Sequence, residues 1–472
     1  MSSIPLVTDA REPPDPNEQI QALVDVFHRA FASMKIGVAE AQCRHLAMTV
    51  QGAMTAHTRF YHTLDHIYML IDPDDPVRTL AGLYHDIVYY QVDQQFTPAI
   101  EQLVRPYIRF QEYGAVRITD RIGPKDRMIE MALEMFDLHP GQEYASVAAI
   151  NEFLSAVVML KQLEDIVATK ELVLITLMIE ATIPFRRLDE HGRTHPELLA
   201  GRLRRIGQVY CEQPPSETEI ENVIKRAVLF ANKDLESFAE PDPGRFLDNT
   251  WKLLPETNPL PFVRDLYSIR SYRRALQQMR KFLYGLDPDA VFLQYHGAPP
   301  EAEFNQIVSR AHINLRLGCE YLKIRIVAIS ILEALAEVSG GDAAMMLFLA
   351  ELPTKNGAKL RFDYFLPHVE PPSWMDTSST IYRLLSRSRD SDWGYDPVSS
   401  PLSLYVYMSL LPEDLSEAFE LAQAMFQEQL TADEYLRHLN PDVVAAVARA
   451  SAEIVITRRD SLLQYARPAE GS

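Results

Sequence analysis

Two short stretches constrain this chain more than anything else in it. The first is Arg59-Phe60-Tyr61-His62-Thr63-Leu64-Asp65-His66-Ile67, and the second is Leu83-Tyr84-His85-Asp86-Ile87-Val88-Tyr89. Together they set three histidines and two aspartates into apolar patterning of helical period. Leu80, Leu83, Tyr84, Ile87 and Val88 fall on one helix stripe, with His85 and Asp86 at its edge. His62 and His66 are four apart, a spacing that puts two side chains on one helix face, one turn above the other. An imidazole beside a carboxylate at a core boundary is costly to bury unless hydrogen-bonded or bound to a metal. Any fold that buries these stripes must therefore also bring partners to these polar groups.

The rest of the chain reads as helical. Ile20, Leu23, Val24, Phe27, Ala30 and Phe31 predict an amphipathic helix from Asn17, after a polar, proline-rich leader over residues 1–16 that is expected to be disordered. A second helix is predicted from Val38 to Met54, with His45 and His57 in or near it as solvated or core histidines. Asp72-Pro73-Asp74-Asp75-Pro76 is turn chemistry that separates the two histidine-bearing helices. Further helix is expected over 98–140, with a loop around Gly123-Pro124 and a turn at Pro140-Gly141 where Asp137 and His139 are structural or merely exposed. Residues 148–180 are strongly helical, and the apolar run Leu172–Ile179 is expected to be buried on all sides. The helix predicted over 262–286 ends at Asp287-Pro288. A domain boundary is placed at 287–302, where Gly297-Ala298-Pro299-Pro300 punctuates the chain.

Beyond it, Phe304, Ile307, Val308, Ala311 and Leu315 start an amphipathic helix, and Ile326–Leu335 reads as the core helix of a second helical unit. Ser339-Gly340-Gly341-Asp342 is a turn, too weak alone to be a phosphate loop. Loop is expected over 353–403, then helices over 412–430, 432–438 and 441–466.

Composition narrows the function classes. With 46 Lys and Arg against 65 Asp and Glu, the formal charge is −19. Nucleic-acid affinity comes largely from cationic side chains that neutralise phosphates, so such a surface is not expected. The three cysteines, Cys43, Cys211 and Cys319, make neither a disulfide framework nor a zinc pattern, which suits a reducing compartment. No signal peptide is visible, and no run approaches the roughly 18 apolar residues of a membrane span. A cytoplasmic protein is the expectation.

An adjacent His-Asp on one helix with a histidine on an earlier one resembles the HD superfamily of metal-dependent phosphohydrolases. Tyr61–Ile67 with His85-Asp86-Ile87-Val88-Tyr89 is similar to a bacterial branch of predicted HD phosphohydrolases. Phe230-Ala231-Asn232-Lys233-Asp234-Leu235 resembles the segment carrying that family's late aspartate, and Glu180-Ala181-Thr182-Ile183-Pro184-Phe185 resembles the branch's Ala-Thr helix end. The likeness spans about residues 20–285. It implies an all-α, HD-type bundle over 17–286, while the helical patterning beyond it gives a helical C-terminal domain, 303–472, of unassigned role.

The resemblance also implies a site. His66, His85, Asp86 and Asp234 would hold a divalent ion (Mn, Fe, Co, Zn or Mg), leaving coordination positions for water and a phosphate oxygen. Cyclic nucleotide phosphodiesterases of the same superfamily also place two histidines four apart. By that analogy His62 is the proton donor to the leaving group, or a hydrogen-bond partner behind the ligands. Lys233 would pair with substrate phosphate or with Glu236, and Thr182 would touch substrate or close its helix end.

The branch usually carries an Asn-Glu pair after the His-Asp helix, and this chain has Tyr89-Tyr90-Gln91-Val92-Asp93-Gln94-Gln95-Phe96 instead. A glutamate that could serve as a base or assist a second ion is therefore missing from its usual place.

Arg186-Arg187-Leu188-Asp189-Glu190-His191-Gly192-Arg193-Thr194-His195, with Arg202, Arg204 and Arg205, is a basic island in an acidic chain. The fork of arginine matches phosphate oxygens, so Arg186 and Arg187 are assigned to a substrate phosphate, with a solvated loop and helix face as the alternative. His191 and His195 are not expected to ligate, because Gly192 between them suggests a loop. Arg270, Arg273, Arg274, Arg280 and Lys281 read as a surface or interdomain face.

Three functions stay open. The first is hydrolysis of a nucleotide or other small phosphate mono- or diester. The second is a non-catalytic ligand sensor or scaffold, and the third is di-iron oxygenation. Residues 303–472 are left as a surface for a second copy or a protein partner.

Overall fold

The computed structural model describes residues 15–93, 96–111, 115–120, 122–123, 126–144, 149–257, 268–345, 348, 362–387 and 401–466. The expectations for most of the leader, for Gln94-Gln95, for Pro124, for 258–267 and for 353–361 and 388–400 of the expected loop lie outside the described residues. The described part of that loop is not loop throughout, since Thr380–Arg387 and the start of Pro401–Ser409 are helix. The chain is all-α, with one small sheet among the described residues. It divides into two compact units, Met1–Asp234 with Leu293–Pro300, and Leu235–Phe292 with Glu301–Ser472. The division thus falls at Asp234, ahead of the 287–302 boundary read from the turn residues. The helices at 243–257 and 269–285 bury their apolar faces within the second unit.

In the first unit, α1 (Pro16–Ser33) starts where Asp15 accepts a hydrogen bond from the Asn17 amide and Pro16 supplies a preset φ. It buries Leu23, Val24, Phe27, Ala30 and Phe31 against α2 (Glu40–Met54). Next come α3 (Leu64–Leu70), α4 (Pro76–Tyr84), α5 (Tyr90–Asp93) and α6 (Pro98–Val104). Gly82 of α4 sits so close to α3 that a Cβ there would lie 3.2 Å from Leu70 Cβ, and this close approach holds the two histidine-bearing segments together. After α7 (Arg127–Phe136), the unit is completed by α8 (Ile150–Leu163), α9 (Thr169–Ala181), α10 (His195–Tyr210) and α11 (Glu217–Asp234). Helix α9, apolar nearly all round, is buried as predicted, and α4, α7, α8, α10 and α11 all pack against it.

Two expectations are corrected. Residues 98–140 are not helix throughout. Strands β1 (Ile108–Phe110), β2 (Val116–Ile118) and β3 (Glu143–Tyr144) pair antiparallel in that order, with Arg109 facing Arg117. Ile108, Val116 and Ile118 turn inward while Arg109 and Arg117 turn out, a period of two too short to stand out from the helical patterning around it. Nor is His62 on a helix: it lies in a bend before α3, and His85 and Asp86 follow the last residue of α4 rather than sitting within it.

In the second unit, α12 (Pro243–Thr257) and α13 (Ile269–Gly285) pack on α14, a single 40-residue helix from Glu301 to Gly340. The two helical patterns read at 304–315 and 326–335 are one rod. Its buried stretch from Leu322 to Ala336 is apolar on all sides apart from Lys323, Arg325, Ser330 and Glu333. Arg273, expected on a surface or interdomain face, is buried within the second unit, and its guanidinium grips the Glu333 carboxylate through two 2.8 Å bonds. Helices at Thr380–Arg387, Pro401–Ser409, Pro412–Phe426, Ala432–His438, Pro441–Ile454 and Arg459–Leu463 follow in this unit, so the helix expected over 441–466 is broken after Ile454. No described helix is long and apolar enough to cross a membrane.

Candidate metal centre

Three helices of the first unit deliver the site, α3 carrying His66 and the ends of α4 and α11 the other three residues. Asp75 caps α4 by accepting from the Arg78 amide, and its carboxylate is also gripped by Arg226 of α11 (Nε–Oδ2 2.9 Å, Nη2–Oδ1 2.6 Å). At 1.5 Å per residue, His85 lies about 15 Å beyond Asp75 and Asp234 about 12 Å beyond Arg226. The two helices therefore run side by side from a shared ion pair to a shared end. Phe230 fills the space between them, with its ring 6.2 Å from that of His85 and under the Arg78 guanidinium.

At that end His66, His85, Asp86 and Asp234 each turn one ligand atom inward, all within 4.8 Å of one another. His66 Nε2 is 3.0 Å from Asp234 Oδ1 and 3.3 Å from Asp86 Oδ2. His85 Nε2 is 3.0 Å from Asp86 Oδ2, 3.4 Å from Asp234 Oδ1 and 3.3 Å from His66 Nε2. His85 Nδ1 donates to the Gly82 carbonyl at 2.9 Å, which leaves Nε2 with the lone pair a metal needs. His66 Nδ1 is buried without a partner, so no hydrogen bond at that nitrogen helps to orient the ring. Asp65, the other motif carboxylate, is exposed and takes no part.

The electrostatics converge on the same point. Burial opposes charge on His66, but its bonds to Asp234 and Asp86 outweigh that and push the imidazole up to about 9. Burial likewise opposes charge on His85, and the Asp86 carboxylate with the Asp234 hydrogen bond still raises it well above its ordinary value. Burial would raise Asp86, yet the charges of His85 and His62 hold it well below the usual carboxylate range. Asp234 is lowered by its bonds to His66 and His85 against the same opposition. Positive charge is favoured between these four groups, and a divalent cation could supply it. Two imidazole nitrogens and two carboxylate oxygens are a donor set for a borderline divalent ion.

His62 stands just outside the four, with Nε2 4.0 Å from Asp86 Oδ2 and its ring edge-on to Tyr89 at 4.7 Å. Lys233 is half-buried on the last turn of α11 beside Asp234. Asn232 pairs through its amide with the Leu293 backbone in both directions, each at 2.8 Å. That exchange needs a donor and an acceptor on one side chain, which a carboxylate lacks.

Thr182 is placed structurally. It is buried, and its hydroxyl donates to the Ile179 carbonyl at 2.7 Å. Most of the basic island is structural too. Buried Glu180 accepts from His195 and from Arg202, each at 2.8 Å, while Arg204 pairs with Glu217 and Arg193 with Asp189. Arg186 lies 3.7 Å from Glu180 with its Nε buried and unpartnered, and Arg187 is exposed. His45, His57, His139 and His191 are exposed and lie outside the metal-ligand group.

Two contributors escaped the sequence reading. Arg59, buried, donates to both oxygens of Asp93 at 2.7 Å and to the Asp86 carbonyl at 2.7 Å, which ties down the free end of α4. Its only sequence signal was its place at the head of the motif. Glu152, on the first turn of α8, has a buried Oε2 with no hydrogen-bond partner and feels the charges of Asp86, Asp234 and Arg186. No motif marks it.

Comparison of the chain with models of known protein families found no match, and neither curated proteins nor solved structures gave one.

Proposed function

We propose that this chain is a metal-dependent phosphohydrolase of a nucleotide or other small phosphate ester. The observation that carries the reading is the convergence of His66, His85, Asp86 and Asp234 from two helix ends and a third short helix. A half-buried histidine stands beside them at 4.0 Å from Asp86. Bound among the four, a divalent ion would stabilise charge on the phosphoryl oxygens and bring the pKa of a water toward about 7.

The chain's own groups do the rest. Asp86 and Asp234 bring the negative charge that retains a cation, and Gly82 fixes the His85 tautomer. His62, outside the ligand group but against Asp86, is positioned to hand a proton to the leaving oxygen. Arg186, with one buried N–H unpartnered, is the cation for a substrate phosphate, and Glu180 backs it. Arg187 can add a second, solvent-facing contact. Lys233 remains a phosphate partner in this reading by its place beside Asp234. Free cysteines agree with a reducing, cytoplasmic setting.

The test is metal content by mass spectrometry on protein purified without chelator or nickel resin, then a screen of phosphomono- and diesters. Near-stoichiometric manganese, cobalt or zinc with turnover is the expected result. Two irons would point instead to an oxygenase. No metal after reconstitution would point to a sensor or scaffold working through residues 303–472.

A further inference from the structure

The reaction above lacks a group to take the proton from the attacking water, and the segment after His85-Asp86 supplies no glutamate. The fold brings one from elsewhere. The first turns of α8 are stitched to that same segment: Ser155 Oγ accepts from the Val88 amide at 3.1 Å, Asn151 Oδ1 accepts from the Tyr90 amide at 3.3 Å, and Asn151 Nδ2 donates to Gln91 at 2.9 Å. Glu152 lies between those two anchors.

Its Oε2 is enclosed with no partner, although a buried polar atom is ordinarily satisfied. The charged groups acting on it come from three other elements: Asp86 after α4, Asp234 at the end of α11, and Arg186 after α9. The metal ligands and the phosphate cation therefore both act on a carboxyl that has no structural bond at its buried oxygen. A group so placed costs stability unless the site uses it.

We infer that Glu152 is a catalytic residue of the proposed hydrolysis, the carboxylate that accepts the proton of the attacking water. The inference rests on the hydrolase reading. In the step, the water oxygen bonds to phosphorus as Glu152 takes one of its protons, and the bond from phosphorus to the leaving oxygen breaks. Protonated His62 gives its proton to that oxygen, releasing the alcohol. Glu152 and His62 then exchange a proton through solvent, so one water is consumed and no charge accumulates.

Burial, with Asp86 and Asp234 adding to it, raises the Glu152 carboxyl to about 7. A cation held between those aspartates would offset their repulsion and draw Glu152 back toward the ionised form that a base requires. The base thus becomes competent when the metal is in place.

The experiment compares the manganese-reconstituted wild type with Glu152→Gln and Glu152→Asp, using para-nitrophenyl phosphate and bis(para-nitrophenyl) phosphate. Expected for Glu152→Gln is full metal content, a kcat lower by about 10²–10⁴-fold and loss of the acid limb of the pH–rate profile. Glu152→Asp should keep the limb and part of the rate. Infrared difference spectra of chelated wild type should show a protonated-carboxyl band that titrates near neutrality, shifts downward on adding manganese and is missing in Glu152→Gln. Wild-type kcat in Glu152→Gln, loss of metal in that variant, or absence of the band would overturn the assignment while leaving the hydrolase reading standing. A metal-loaded wild type that cleaves neither probe would overturn the hydrolase reading, and this assignment with it.

Discussion

At the scale of residues, the site is four side chains that repel or attract one another according to what lies between them. Asp86 touches both ligand histidines and lies against His62, so Asp86→Ala should abolish metal binding while circular dichroism still reports the helices. His62→Ala, outside the four, should keep the metal and lose turnover by about 10²-fold or more. If His62→Ala also strips the metal, its assignment as proton donor fails.

The titration has a definite sign. His66 rises from an ordinary 6.5 to about 9 on folding, so its stabilising contribution in metal-free protein is complete below about pH 6.5 and is lost as pH rises through about 9. The depressed Asp86 and Asp234 act at the other end, contributing above the ordinary carboxylate range and losing that contribution only as pH falls below it. Ligation to a metal deprotonates the imidazoles, so loaded protein has no such loss. The rise in Tm on adding manganese, measured by scanning fluorimetry against chelated protein, should therefore widen between about pH 6.5 and 9. A difference flat with pH would mean that the histidines are not ligands.

At the scale of elements, the site depends on two helix ends staying level. The pair of Asp75 and Arg226 sets the register of α4 against α11, and Asn232 holds the end of α11 through both of its bonds to Leu293. Arg226 is partly exposed, so Arg226→Met should cost under about 1 kcal/mol of stability. Because it controls where Asp234 arrives, the same change should still weaken metal affinity by about tenfold, measured by calorimetry. Asn232→Asp should cost about 1–3 kcal/mol, since the Leu293 carbonyl would then face a carboxylate. Urea titration reads this directly, and an unchanged midpoint would exclude the role.

Sequence reasoning could see the ligand residue types but not these supports. The partners of Asp75 and Asn232 are 151 and 61 residues away, so no local pattern carries them. The helical placement of His62 failed for the converse reason. Four-residue spacing is necessary for a shared helix face and does not prove one, and Arg59 gathers the Asp86 and Ile87 carbonyls beneath a bend instead.

At the scale of the whole molecule, every proposed ligand lies in the first compact unit, and the second is organised round its own 40-residue helix. There the buried pair of Arg273 and Glu333 takes the place of a fully apolar seam between α13 and α14. Glu333→Ala leaves a buried guanidinium without its carboxylate and should lower stability by about 3–5 kcal/mol, with the stoichiometry of bound metal unchanged. A chain whose metal content fell in step with stability would contradict that separation.

The sequence by itself determined the all-α class and the buried faces of α1, α4, α9 and the middle of α14, and the family resemblance pointed to the four side chains that converge, His66, His85, Asp86 and Asp234. Apolar periodicity and a His-Asp dipeptide are local properties, and they survive whatever the rest of the chain does. Only the tertiary structure decided the small sheet, the break at Asp234, the bond of Thr182 to the Ile179 carbonyl, the carboxylate partners of Arg193, Arg202 and Arg204, and the approach of Glu152 to the cluster. Each of those depends on which distant group meets which, and a buried charge reveals its partner only when the packing that buries it is complete.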